Sequence, residues 1–346
     1  MNLKSFLCIY NNRSDQLKYI KIFNKTILKL KRKFKMNGKT LYYDNANHID
    51  EKYIHKGNEA NLILSDIINT GRPAMIGRYG MSELNIVQHF YNNKNNVLKI
   101  EYPEKLINEA RIHPGIFNAD SETLVCFSCE VLSFMHDIDV LSVWNCFHSP
   151  KYYVTAANII KEYANPKVKL ITTEPIIWGM FSENSWTKSL KGKKVLVISP
   201  FTDTIKQQYE KKELLFADKD ILPDFELKII KAPQGIGENN LEKEYGTWFN
   251  ALNSIKEQMN NTDFDVCLIG AGAYGYHLAH HAKMIGKIGI HVAGALQLLF
   301  GIKGSRWINT ESFNKIANSN WVFPAKHELP VNNEVFVKGE GCNAYW

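Results

Sequence analysis

The sequence predicts an α/β fold, a mostly parallel sheet with helices on both faces. Three observations carry this. Short, continuously apolar runs recur after residue 70 and alternate with helical periodicities. The clearest of them, Val195-Leu196-Val197-Ile198, is apolar on both side-chain phases, so both faces of that strand must be buried. Four of the runs also end in glycine- or hydroxyl-rich segments where a helix should begin.

In chain order, residues 15–36 read first, as a basic amphipathic helix. Leu17, Ile20, Phe23, Ile27, Leu30 and Phe34 recur every three or four residues, with Lys18, Lys21, Lys25, Lys29 and Arg32 on other faces. Such a helix either packs its stripe on the body or lies on an anionic membrane surface, giving peripheral membrane contact. Asn37-Gly38 is its stop signal. Residues 1–40 are expected to be an N-terminal extension, and 41–346 the main domain. Ala74–Ile76 reads as a strand running into Gly77-Arg78-Tyr79-Gly80, and Leu124–Phe127, Val140–Val143 and Val168–Ile171 read as further short strands. Lys194–Ile198 is a buried strand, with a helix expected from Asp203 to about Phe216. Leu227–Ile230, Val266–Ile269 and Ile288–Val292 complete the strands. Helices are expected over Gly246–Asn260 and from Tyr274 to about Ile285.

Composition narrows the class. The 346 residues are 45% hydrophobic, 12% aromatic and 22% charged, enough for a sizeable core and against global disorder. No run of about 18 uncharged apolar residues appears, so no transmembrane helix is expected. The opening MNLKSFLCIYNNRSD lacks the pattern of a secretory signal, and a cytoplasmic chain is expected. The net charge of +7 is local: residues 1–40 hold 11 Lys/Arg against one acid, whereas the other 306 hold 31 basic and 34 acidic residues. A mildly acidic body argues against a nucleic-acid partner. Cys126 and Cys129 form a lone C-x-x-C in an apolar run without the second pair a structural zinc needs, so buried free thiols are expected.

Ligands of open parallel sheets bind outside the carboxyl ends of the strands. Four segments should therefore share one rim. They are Gly77–Glu83, Ser199–Thr204, Gly270–Gly275 and Ala293–Gln297. Gly270-Ala271-Gly272-Ala273-Tyr274-Gly275 matches G-x-G-x-x-G between a strand and a helix, where backbone N–H groups can approach a diphosphate. A dinucleotide site also wants an acid about 20 residues later. None occurs between Gly275 and Asn309, so no NAD is expected. The glycines read either as a nucleotide-diphosphate site or as tight strand–helix packing. Ser199, Thr202 and Thr204 offer hydroxyls to phosphate, though Thr202 or Asp203 also suits a helix N-cap. Arg78 fits a phosphate clamp or an ion pair. His280 and His281 read as surface or packing, and His291 as a buried residue near the rim.

These segments resemble bacterial glycosyltransferases of the GT-D fold, a Rossmann-like class, in the branch found with surface-polysaccharide genes. The matching stretches are IGRYGMSELNIV (76–87), VLVISPFTDTIKQQYEKKELLF (195–216), PDFELKIIKAPQ (223–234), FDVCLIGAGAYGYHLAHHAKMIGKIGIHVAGALQLLFGIKGSRW (264–307) and GCNAYW (341–346). The resemblance implies transfer of a sugar from a nucleotide-sugar donor, typically a UDP-sugar, to a glycan or lipid-linked glycan acceptor. The donor contacts expected on this reading are Arg78, Tyr79, Gly80, Ser199, Pro200, Phe201, Thr202, Thr204, Gly270, Gly272, Ala273, Tyr274, Gly275, Gly294, Gln297 and Arg306. The family reads R-[FY]-G-D-G-E at the first strand end, with the D-x-E pair on a divalent metal, Mn²⁺ or Mg²⁺. Here Arg78, Tyr79, Gly80 and Glu83 match but Met81 replaces the aspartate, and a thioether is a poor ligand for hard cations. Either Glu83 holds the metal with fewer partners, or Arg78, Lys206, Lys303 and Arg306 neutralise the diphosphate. An acceptor hydroxyl needs a base. Glu83 ranks first, with Asp203, Glu238 and His291 as further candidates. Tyr79, Phe201, Tyr274 and Trp307 are candidate stacking surfaces. A non-catalytic nucleotide- or carbohydrate-binding protein is the alternative that Met81 suggests, and an NAD(P)-dependent oxidoreductase the one that the glycine motif suggests.

Overall fold

The computed structural model describes residue 49 and residues 51–143, 150–235 and 240–329. The basic segment 15–36, Glu238 and the terminal GCNAYW lie outside the described residues. The strands are β1 Ile54–His55, β2 Ala74–Arg78, β3 Val140–Val143, β4 Lys169–Thr172, β5 Lys194–Ser199, β6 Glu226–Lys231, β7 Val266–Ile269 and β8 Ile288–His291. They form one eight-stranded sheet in the order β1-β4-β3-β2-β8-β7-β5-β6, and every pairing is parallel. The longer helices are α1 Gly57–Thr70, α2 Met81–Asn93, α3 Glu104–Ile112, α4 Ser121–Phe134, α5 Pro150–Tyr163, α6 Thr202–Glu210, α7 Trp248–Asn260 and α8 Tyr274–Met284. No helix among the described residues is long and apolar enough to cross a membrane.

β5 explains the layering. Leu196 and Ile198 join a core with α2, α4, α7 and α8 on one face, and Val195 and Val197 join a second core with α1 and α6 on the other. Alternate side chains of one strand thus enter different cores, so its run is apolar throughout. At about 25 cal/mol per Å² of apolar surface, burial on both faces is what holds such a strand centrally.

Two expectations are corrected. Leu124–Phe127 is not a strand but the second turn of α4, whose N-cap Asp120 accepts the Thr123 N–H at 2.7 Å. Leu124–Leu132 is buried throughout, so no polar face exposes the helical period. Cys126 and Cys129 are buried free thiols on this helix, and burial raises both pKa values. The helix after β5 ends at Glu210 rather than near Phe216 and continues as separate turns, Lys212–Leu214 first.

The topology opens a crevice. β5 leads into α6 on one face, and its neighbour β7 leads into α8 on the other. Where adjacent strands send their helices to opposite faces, their carboxyl ends leave a gap for a ligand.

Candidate functional site

A cleft open to solvent lies at these strand ends. Ser199, Pro200 and Phe201 after β5 line it, with Gly270, Ala271, Gly272 and Tyr274 after β7 and Ala293, Gly294, Leu296 and Gln297 after β8. Pro114 and Gly115, from the loop between α3 and α4, and Ala232–Gly235 after β6 close it. The lining is mostly apolar and main chain.

The glycine turn has a divided role. Gly272 has φ +51, a left-handed conformation that suits glycine, and the Ala273 N–H donates to the Pro114 carbonyl at 2.9 Å. A methyl group on Gly275 would collide with the His291 ring, and one on Gly270 would lie 2.9 Å from the Ala293 carbonyl. Gly270 and Gly275 are therefore required for packing. The N–H groups of Ala271 and Gly272 have no acceptor among the described residues. They are the donors this turn offers a ligand. Ala293, across the cleft, holds φ +57 without being glycine, a backbone strain of the kind that collects at functional rims.

Beside the cleft, at the end of β2, a charged group gathers. Glu83, in the first turn of α2, is half-buried. Burial raises its pKa above the usual carboxylate value, and its own N–H and the charges of Arg78 and Arg306 pull the other way without winning. Its carboxylate is folded back on Gly80, where a methyl group would collide with it. Glycine at 80 thus makes room for Glu83. Arg78 and Glu83, five residues apart, and Arg306, more than 200 residues on, are therefore electrostatically linked.

No protein-family model matches the chain, and no curated protein matches it. A solved structure described as "Selenomethionine substituted structure of domain of unknown function 1792 (DUF1792)" is similar at 11% sequence identity and a TM-score of 0.36. The match covers 77% of this chain and 96% of that one. A likeness of that size carries no weight for fold or function.

The remaining expected residues are placed as follows. Ser199, Pro200, Phe201, Gly270, Gly272, Tyr274, Gly294 and Gln297 line the cleft, whereas Thr202, Thr204, Ala273 and Gly275 do not. Neither Thr202 nor Asp203 caps α6. The buried Glu328 reaches across instead, accepting the Asp203 N–H at 2.8 Å and the Thr204 N–H at 3.4 Å and binding the Thr204 hydroxyl. A carboxylate already fills the anion position of that helix start, so Thr204 is not turned to a ligand. Tyr79 is also no stacking surface. It is 3% exposed and stacked on Tyr276 with ring centroids 5.2 Å apart. Tyr274 lines the cleft and is stacked on Trp248, with ring centroids 4.7 Å apart. His280 stacks on Phe134 at 3.9 Å, and His281 meets Asn260 at 2.9 Å.

Asp203, His327 and Glu328 bring ligand-type atoms within 4.8 Å of one another and could hold a metal ion. Their present contacts compete with that use. His327 Nε2 lies 2.8 Å from Asp203 Oδ2, and Glu328 caps α6. Pro114, Gly115 and Ala232–Gly235 line the cleft without having been named as site residues, although Ala232–Gln234 end a stretch that carries the family resemblance. The first pair carries no motif; the second sits at the carboxyl end of a strand that had been recognised, and the rim rule reaches it.

His291 supplies a pH test. Its Nδ1 lies 3.1 Å from the Arg78 carbonyl, and a carbonyl only accepts, so Nδ1 carries the proton. Nε2 is buried without a partner. Burial first, then the Arg78 charge, pushes the pKa down to about 3. In the unfolded chain the imidazole protonates below about pH 6.5. The stability it contributes is thus whole above that pH and is lost as pH falls toward its folded value, by at most about 1.4 kcal/mol per unit. His291→Asn keeps a donor for Arg78 and cannot titrate. Between pH 6.5 and 5 the natural chain should lose about 2 kcal/mol more than the variant in urea unfolding. Equal losses would place the acid sensitivity elsewhere.

Proposed function

We propose that the chain is a glycosyltransferase that moves a sugar from a nucleotide-sugar donor, a UDP-sugar, to a saccharide or lipid-linked saccharide acceptor, with residues 41–346 as the transferase domain. The observation that carries this reading is the cleft at the carboxyl ends of β5, β7 and β8, with two unbonded N–H groups on its glycine turn. Its apolar walls suit the flat nucleoside base. Ala271 and Gly272 suit a phosphate oxygen, Arg78 ends the neighbouring strand β2, and Arg306 acts electrostatically on Glu83 beside it.

The chemistry assigns the roles. As the anomeric C–O bond breaks, the nucleoside diphosphate leaves with growing negative charge. Donors aimed at that charge lower the barrier. The acceptor hydroxyl loses its proton to Glu83 as it attacks, since a hydroxyl is a weak nucleophile until a base takes its proton. His291 acts through another group. Its Nδ1 hydrogen bond holds the main chain of Arg78, which makes it a positioning residue.

Arg78→Ala tests the donor site. Losing a charge-assisted contact should weaken UDP binding about 10- to 100-fold in titration calorimetry. Unchanged UDP affinity would remove Arg78 from the site, and NAD(H) binding in place of UDP would overturn the reading.

A further inference from the structure

The resemblance implies a divalent cation at the end of β2, shared by an aspartate and Glu83. The residues there do not fit one. Met81 stands in the aspartate's place, 44% exposed and offering only a soft sulfur. Magnesium and manganese prefer oxygen ligands, and Glu83 is the one carboxylate of this motif, without the second that the resemblance implies. Its carboxylate lies against Gly80. The charges acting on it are two guanidinium groups, Arg78 and Arg306. A cation entering there would meet two positive charges and one carboxylate. A diphosphate would meet the reverse, two forked donors suited to its oxygens.

We infer that Arg78 and Arg306 neutralise the donor diphosphate without a metal ion at Glu83, which leaves Glu83 to serve as the base. The placement of both arginines supports this. Arg78 ends β2, in register with Ser142 of β3, and its carbonyl is held by His291. Arg306 lies with its guanidinium 5.7 Å from the Trp307 ring, and Trp307 in turn packs edge-on against Trp178 at 5.5 Å and 87°. Arg78 is thus fixed by the sheet, and Arg306 stands in an exposed turn beside the Trp307 ring. Carboxylate and guanidinium also divide the work. A metal ligand must stay ionised and bound, whereas a base must accept a proton, and Glu83 cannot do both in one step. The inference rests on the donor reading above for the identity of the anion, though not for the charge arrangement.

Two measurements on the full chain test it. Mn²⁺ titrated into the protein and followed by electron paramagnetic resonance should give the same affinity for the natural chain and for Glu83→Gln. Inorganic pyrophosphate, a diphosphate with neither base nor sugar, should bind in the presence of EDTA. Arg306→Ala should weaken that binding about 10- to 100-fold, the value of one or two charge-assisted hydrogen bonds. Arg306→Lys should recover part of it, since the charge returns without the fork. Glu83→Gln should leave pyrophosphate binding unchanged or tighter. Loss of Mn²⁺ affinity in Glu83→Gln, absence of pyrophosphate binding in EDTA, or an Arg306→Ala protein that binds normally would each overturn the inference. The two readings fail separately. Pyrophosphate binding as described with no binding of any UDP-sugar would sink the transferase reading and keep the arginine pair. UDP-sugar binding that needs Mn²⁺ and is lost in Glu83→Gln would do the opposite.

Discussion

Glu83→Gln is expected to cut sugar transfer by about 100- to 10,000-fold, the range a positioned general base supplies. Donor binding should survive, because no contact to the diphosphate is removed. The pH profile gives a second readout. Burial raises the Glu83 pKa, with Arg78 and Arg306 opposing. A raised pKa leaves more of the carboxyl protonated at a given acidic pH, and a protonated carboxyl cannot accept the acceptor's proton. The rate should therefore fall, as pH drops, above the usual carboxylate range, and this acid limb should vanish in the variant. Gly80→Ala should act on the same group indirectly, since the added methyl collides with the Glu83 carboxylate. Full transfer by Glu83→Gln would move the base to another rim group, of which Asp203 is the nearest in kind.

The arrangement behind that prediction was partly legible in the sequence. β5, β7 and β8 were readable because a parallel strand buried on both faces must be apolar throughout. The shared rim followed, since a parallel sheet brings all carboxyl ends to one side. What failed did so for definite reasons. Leu124–Phe127 looked like a strand because α4 is buried on every side and shows no amphipathic period. Glu328 as the cap of α6 was invisible, because 124 residues separate it from Thr204 and nothing local marks the contact. The glycine motif was legible as a turn but not in its parts. Only the structure separates Gly270 and Gly275, which make room for Ala293 and His291, from Ala271 and Gly272, whose amides remain open. Arg306 reached the candidate set through the family resemblance. Its electrostatic link to Glu83, across more than 200 residues of chain, needed the coordinates.

The largest loss of stability should come from His277→Leu, away from the cleft, at about 3–5 kcal/mol in denaturant unfolding. His277 is fully buried on α8, with Nε2 3.2 Å from Glu130 on α4, a side chain 4% exposed. The approach is close enough for an ion pair but off line for a good hydrogen bond. Phe127, Phe134 and Trp248 surround the imidazole with ring centroids 5.1–5.3 Å away. Burial opposes the charge on Glu130, yet His277 and Lys256 of α7 outweigh it and hold its pKa below normal. Burial also lowers the pKa of His277, with Glu130 opposing. The carboxylate is thus the charge that must be compensated, and removing His277 leaves it facing aromatic rings with less support. Leucine fills much of the vacated space, so a cavity contributes little to the loss. Adding Glu130→Leu should then restore part of the stability, because the buried carboxylate is gone while Lys256 of α7 loses its counter-charge. A double variant as unstable as the single would show that packing, not the stranded charge, sets the cost. The effect should also reach the cleft. α8 begins at Tyr274 on the cleft wall and Gly275 against His291. A loosened α8 would therefore lower donor affinity even though His277 touches no ligand, and the double variant should recover affinity in step with stability.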